Sequence, residues 1–192
     1  MNELETRSEL PFIAGVNDEG QPVFESILVE HLTSSPDEVR LLKSPLLTRN
    51  LAAGDKVRIL NPSAAEYELI QRSGNLCIRV FRLNQLDRLA DYLTPIFEKM
   101  DGTLDLENDR ALVYSIHFSI GFQNIEDIMN QACRDYPDTV WYYGNVYDPE
   151  DGTTPLEWWL DFENQERKPG IKQRTGFLYY VNGSFASKVS RF

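Results

Sequence analysis

Six large rings, Trp141, Tyr142, Tyr143, Tyr147, Trp158 and Trp159, share one stretch of the chain with the carboxylates Asp148, Glu150, Asp151, Glu157 and Asp161. Rings supply contact area and carboxylates select a cationic partner, so this mixture has the composition of a protein-binding surface. The residues expected to carry it are Trp141, Tyr143, Tyr147, Asp148, Glu150, Asp151, Glu157, Trp159 and Asp161. They can act together only if alternate members of the strands that hold them face away from the core.

Other reactive residue types point to no catalytic set. His31 and His117 lie in different halves of the chain, and neither has a serine or cysteine at a spacing that signals a nucleophile and its base. Cys77 falls in an alternating apolar run and Cys133 on an apolar helical stripe, so both read as small core residues. Without a Cys-x-x-Cys pair there is no thiolate metal signal, and the turn Asp148–Pro149–Glu150–Asp151–Gly152 lacks the calcium-loop pattern. The glycines at 54, 74, 102 and 121 stand singly and form no phosphate-binding loop, so no cofactor is expected. A different class of reading places a small-molecule or catalytic pocket between two halves of the chain, lined by Tyr67, Arg79, His117 and Tyr143.

Charge supports the binding reading. The net charge is −11, and residues 101–163 hold 14 acidic residues against two basic ones, whereas residues 166–192 hold one acidic and six basic. A surface this acidic repels a phosphate backbone and steers a basic protein towards itself. No apolar run reaches 18 residues, and the first five residues are acidic rather than basic, so neither a membrane span nor a signal peptide is expected. The expected compartment is the cytoplasm.

The elements that must position these residues follow from periodicity. Residues 1–20 are a lead-in with an edge strand available at Pro11–Gly15. Short strands are expected at Val23–Glu30, Val39–Leu42, Lys56–Leu60 and Glu66–Ile70, which together suggest a small antiparallel β-barrel or curled sheet. At Arg72–Phe81 the chain changes character: Leu76, Ile78 and Val80 alternate with Cys77, Arg79 and Phe81 after a Ser-Gly-Asn turn. A helix capped by Asn84 should follow, with the stripe Leu86, Leu89, Ala90, Leu93, Phe97 and Met100 and a kink or early end at Pro95. Strands at Thr103–Leu106 and Ala111–Ser119, a second helix capped by Asn124, and a strand at Thr139–Tyr147 complete a β-α-β-β-α-β order. One extra strand is expected at Leu156–Phe162. The fold class is therefore α+β, with an N-terminal β-rich subdomain over residues 1–74, a ferredoxin-like subdomain over 75–165 and a basic tail over 166–192 that carries the apolar run Phe177–Val181.

The runs Glu25–Leu28, Ser44–Leu47 with Gly54–Val57 behind it, and Arg72–Val80 together resemble a bacterial family known only as domain of unknown function 4265. The similarity extends in spacing through Val140–Tyr143. It implies the same layout of elements and carries no activity. The reading these observations favour is a non-enzymatic inhibitor, an immunity protein that neutralises a basic bacterial toxin. A regulator that imitates nucleic-acid charge to cap an RNA-processing enzyme fits the same charge count.

Overall fold

The computed structural model describes residues 6–33 and 35–166, and over these the chain is an α+β protein of two antiparallel sheets and three α-helices. The basic tail, with its apolar run Phe177–Val181, lies outside the described residues.

The first sheet is a meander in chain order: β1 (Arg7–Val16), β2 (Pro22–His31), β3 (Glu38–Leu41), β4 (Lys56–Asn61) and β5 (Glu66–Gln71). Local chemistry sets its turns. The Asn17 side chain accepts from the amides of Glu19 and Gln21 and closes the first hairpin, and Asn61 does the same for Ser63 and Ala64 before β5. The sheet curls enough to set the Phe12 ring of β1 5.0 Å from the Tyr67 ring of β5. It does not close into a barrel, because β1 and β5 remain the two outer strands. Phe12, Ile27, Val29, Val39, Leu41, Leu51 and Val57 fill its concave side.

The second sheet is built from β6 (Asn75–Phe81), α1 (Leu86–Glu98), β7 (Thr103–Glu107), β8 (Ala111–His117), α2 (Phe122–Asp135) and β9 (Val140–Tyr143), with strands side by side in the order β7-β8-β6-β9. Leu76, Ile78 and Val80 face the helices, where they meet Leu89, Leu93 and Phe97 of α1 and Ile125 and Met129 of α2. Helix starts differ from expectation. Gln85 at φ 54° rather than Asn84 precedes α1, and Gly121 rather than Asn124 precedes α2, because a 3-10 turn at Phe118–Ile120 feeds directly into that helix. Pro95 sits in the last turn of α1, which still runs on to Glu98.

The extra strand is absent. Residues Trp159–Glu166 form helix α3, and the only ladder contact near the expected strand is a single bridge between Tyr147 and Pro155. Glu157 at φ 53° turns the chain into that helix, and Trp158 and Phe162, four residues apart, pack on the Phe118 ring. A helix buries these rings where a strand would have divided them between two faces. β9 is shorter than expected for a related reason. At Gly144 the chain passes close to β6, and a Cβ there would lie 2.8 Å from both Arg79 Nε and Cys77 Sγ.

The face of the second sheet turned away from the helices is covered by the connection between β3 and β4, residues 42–55. Cys77 and Val113 meet Ala52 there, with Leu46 and Leu106 alongside. A connection buried this way must have its backbone groups satisfied, and side chains do it. The Glu25 carboxylate accepts the amides of Leu46, Leu47 and Thr48 at 2.6, 2.9 and 2.7 Å. Arg79 donates to the carbonyls of Pro45 and Thr48. Asp105 accepts the Ser44 amide, and the Ser44 hydroxyl accepts that of Ala53. Asp55 accepts the amides of Ala52 and Ser73, while Ser73 and Asn75 both donate to the Ala53 carbonyl.

Glu25→Gln replaces one of two accepting oxygens with a donor that confronts backbone amides, and Arg79→Met leaves two carbonyls without donors. Each is expected to lower stability by about 2–4 kcal/mol, read from urea unfolding midpoints. A loss under about 0.5 kcal/mol for both, within the range of ordinary surface substitutions, would show that this clamp does not hold the connection.

Candidate functional site

The rings expected on an outward surface are mostly interior. Tyr143, Trp158 and Trp159 are each 8% exposed and belong to the core on the helical side, while Trp141 and Tyr147 are half-buried against it. Phe122 of α2 lies between Tyr143 and Trp159, with centroids 5.6 and 4.9 Å away, and Trp141 meets Tyr143 edge-on at 5.2 Å. The Trp158 indole N–H donates to the Asn145 carbonyl at 2.7 Å. Tyr143 and Trp159 are therefore packing residues rather than docking residues. The cause is the turn at Gly144, which sends the chain back over α2 and brings α3 down on the rings.

The carboxylates, by contrast, stay at the surface. Glu150, Asp151, Glu157 and Asp161 are exposed and Asp148 is half-exposed. Asp148 accepts the Glu150 amide, and Asp151 accepts the amides of Thr153 and Thr154 and the Thr154 hydroxyl, which hold its carboxyl down at about 2. Arg49 Nη1 ties the loop to the buried connection through the Pro149 carbonyl at 2.6 Å. The acids thus sit on a loop of fixed shape backed by an aromatic core.

The pocket expected from Tyr67, Arg79, His117 and Tyr143 does not assemble. Tyr67 packs on Phe12 in the first sheet. Arg79 is buried beneath residues 45–48, and Tyr143, paired with Ile78, is on the opposite face of the second sheet. His117 ends β8 at the surface, with Nδ1 2.8 Å from the Ser119 hydroxyl. Nor do nucleophiles assemble. Burial pushes the thiols of Cys77 and Cys133 up, away from the thiolate. Ser8 Oγ lies 2.7 Å from His31 Nε2, but among the described residues no carboxylate bonds that imidazole to orient it. No cluster of three metal-ligating side chains occurs among the described residues.

What the structure does bring together is a cleft of about 460 Å³ at the seam of the two sheets. Residues 25–28 of β2 form one wall, 104–107 of β7 the other, and Lys43, Ser44, Pro45 and Glu9 complete it. Four carboxylates, Glu9, Glu25, Asp105 and Glu107, face one ammonium group, so the cleft favours cations. Glu25 was visible in the sequence as a charge within a β-branched run. Asp105 was not: a bulge between Leu104 and Leu106 leaves it unopposed in the ladder and aims it into the seam. Burial pushes the Asp105 carboxyl up, against hydrogen bonds from Ser44 and Ser115 and the charge of Lys43.

A two-sheet α+β scaffold with a clamped central connection and a carboxylate-lined seam is the class of protein these features define. The model of a family described as Domain of unknown function (DUF4265) matches residues 25–136, more than half of the chain, and the chain belongs to that family. Its match contains Glu25, Ser44, Asp55, Arg79 and Asp105 and ends before β9. A structure described as a "Novel crystal structure of a hypothetical protein from Neisseria gonorrhoeae" is similar at a TM-score of 0.52 and 15% identity, over 75% of this chain and 96% of that one. That likeness concerns the fold. No curated protein matches the chain. Among the described residues no helix is long and apolar enough to cross a membrane.

A carboxyl with a raised folded-state pKa binds more protons folded than unfolded, so its ionisation opposes folding. The share of stability linked to Asp105 is whole below the ordinary value of 3.8 and lost as pH rises through the raised one. Asp105→Asn keeps an oxygen for the Ser44 amide and removes this titration. It is expected to cost less stability at pH 7 than at pH 4, read from paired urea curves. A cost that is independent of pH, or larger at pH 7, contradicts that assignment.

Proposed function

We propose that this chain is a non-catalytic binding protein for a basic protein partner, in its most specific form a cytoplasmic immunity protein that neutralises a basic bacterial toxin. The observation that carries the reading is the loop and helix start holding Asp148, Glu150, Asp151, Glu157 and Asp161, where carboxylates stand exposed on a backbone fixed by its own hydrogen bonds. A rigid anionic surface loses little conformational entropy on docking and accelerates encounter with a cation-rich partner. The buried rings change how affinity would arise. They stiffen the platform, and charge rather than an aromatic anchor does the recognising. The charge-mimicking regulator of an RNA-processing enzyme would use the same face and differ only in the partner.

We also infer that β6 through β9 form a ferredoxin-like unit. Its element order, β-α-β-β-α-β, and the antiparallel order β7-β8-β6-β9 support this assignment.

The test is binding between the purified chain and the products of adjoining reading frames, by calorimetry at two salt concentrations. The triple variant Asp148→Asn, Glu150→Gln, Asp151→Asn is expected to weaken the complex at least about tenfold and flatten its salt dependence. A stable complex whose affinity the triple variant leaves untouched, or no complex with any adjoining product, would sink the reading.

A further inference from the structure

The seam cleft has a property that neither its charge nor its volume expresses. Residues 25–28 line one wall consecutively and residues 104–107 line the other consecutively. The face of a strand presents every second residue, so unbroken runs mean that two strand edges look into the cleft. Among the described residues both edges are open. β7 is an outer strand with β8 on one side only, and β3 pairs with β2 only at Val29, Glu30 and His31.

The open backbone groups on β2 can be named. The Leu28 carbonyl accepts the Leu42 amide at 2.9 Å and so points away from β1. By alternation, the N–H and C=O groups of Ser26 and Phe24 point the same way, and among the described residues nothing bonds them there. Protein edges are commonly blunted by charged side chains, prolines or bulges. This stretch reads Val23, Phe24, Glu25, Ser26, with Pro22 only at its far end, and the Glu25 carboxylate is turned onto the amides of residues 46–48. Phe24 is 48% exposed and its cross-strand partner Ile13 is 43% exposed, so an apolar surface continues from the cleft.

We infer that the open edge of β2 from Phe24 to Ile27, facing β7 across the cleft, takes an extended, lysine- or arginine-bearing segment of a partner protein as an added strand. Backbone bonding to Phe24 and Ser26 would supply affinity. Glu9 and Glu107 would select cationic side chains, and the apolar walls at Leu28, Leu104 and Leu106 would take the alternate ones. Four residues of wall at roughly 3.3 Å each give an edge of ~13 Å, room for about four residues of extended chain. This rests on the proposal that the partner is basic, and adds a second contact distinct from the loop at 148–161.

The test uses the full chain and three capped hexapeptides, (Lys-Val)3, the same peptide with every backbone and terminal amide nitrogen methylated, and (Glu-Val)3, with amide exchange followed residue by residue. (Lys-Val)3 is expected to slow exchange at Phe24 and Ser26 at least tenfold. The N-methylated (Lys-Val)3 has the same side chains and charge and no backbone donors to pair, and is expected to leave both unchanged, as is (Glu-Val)3. The Ser26 amide points away from the β1 ladder, so Ser26→Pro removes the edge donor while sparing that pairing. It should weaken (Lys-Val)3 at least tenfold. The double variant Glu9→Gln, Glu107→Gln alters no backbone and should weaken it severalfold even if Ser26→Pro does not fold.

Equal effects of the N-methylated peptide or (Glu-Val)3 overturn strand addition, as does (Lys-Val)3 leaving Phe24 and Ser26 unchanged at millimolar concentration. So does protection of those two amides in the free protein, which would mean that another part of this chain or a second copy fills the edge. The triple variant at 148–151 should bind (Lys-Val)3 normally. If it loses the partner protein while no peptide docks on β2, the added strand fails and the acidic loop stands. If (Lys-Val)3 docks but the triple variant keeps full partner affinity, the reverse holds.

Discussion

The Glu25 carboxylate, accepting three consecutive amides of a connection that lies between two sheets, is the interaction on which the rest of this structure depends. Connections normally run over the surface because water satisfies their backbone. Here residues 42–55 fill the face of the second sheet that the helices leave bare, and protein groups replace water one by one. Asp105 serves the near end, Glu25 and Arg79 the middle and Asp55 the far end. Hydrogen bonds to charged groups are worth about twice neutral ones, and a donor left unmet in such a place costs as much as a bond gains. The two sheets are therefore coupled through a polar seam, with Ala52, Cys77 and Val113 as a small apolar contact inside it.

The same seam reaches the aromatic end of the molecule. Arg72 lies 3.6 Å from Asp55, donates to the Asn50 carbonyl and stacks 5.2 Å from the Trp158 ring. Asn145 stands in for the strand that β9 abandons, its side-chain oxygen accepting the Cys77 amide and its nitrogen donating to the Asn75 carbonyl. These bonds fix where the 144–158 loop leaves the sheet, which in turn fixes where its carboxylates emerge. The fold packs the rings beneath the acids instead of displaying both.

The seam also explains why the segments shared with the family are the least informative about a ligand. Glu25, Ser44, Gly54, Asp55, Ser73 and Asn75 are polar or small residues in short motifs, a pattern that often marks a site. In this molecule the side chains of Glu25, Ser44, Asp55, Ser73 and Asn75 bond the backbone of residues 46–53. A Cβ at Gly54 would come 2.7 Å from Ser73 Cβ, and one at Gly74 would run into His117 Nε2, both at positive φ, so these glycines permit close backbone approach. The groups left over from the clamp, among the described residues, are the open edge of β2 and the exposed carboxylates of the 148–161 stretch.

Alternation and helical spacing were enough to place eight of the nine strands and the first two helices, since burial on one face imposes a period of two or 3.6 on any chain. They also located the change of sheet between Gln71 and Asn75, and the excess of acid after Asp101. β1 runs further than its sequence pattern declared, because pairing with β2 carries it past Pro11. Two kinds of fact were beyond local pattern. Trp158, Trp159 and Phe162 suit a strand or a helix equally well, and only the space left beside Phe118 and Phe122 makes a helix the arrangement that buries them. Likewise, nothing in the neighbourhood of Glu25 or Asp105 says that each will meet the amides of residues 44–48, because side-chain hydrogen bonds to distant backbone have no period. Sequence alone determined most of the elements and the excess of acid over residues 101–163. Tertiary structure decided which polar groups are spent on holding the sheets together and which stay exposed, since that depends on what the folded chain places opposite each of them.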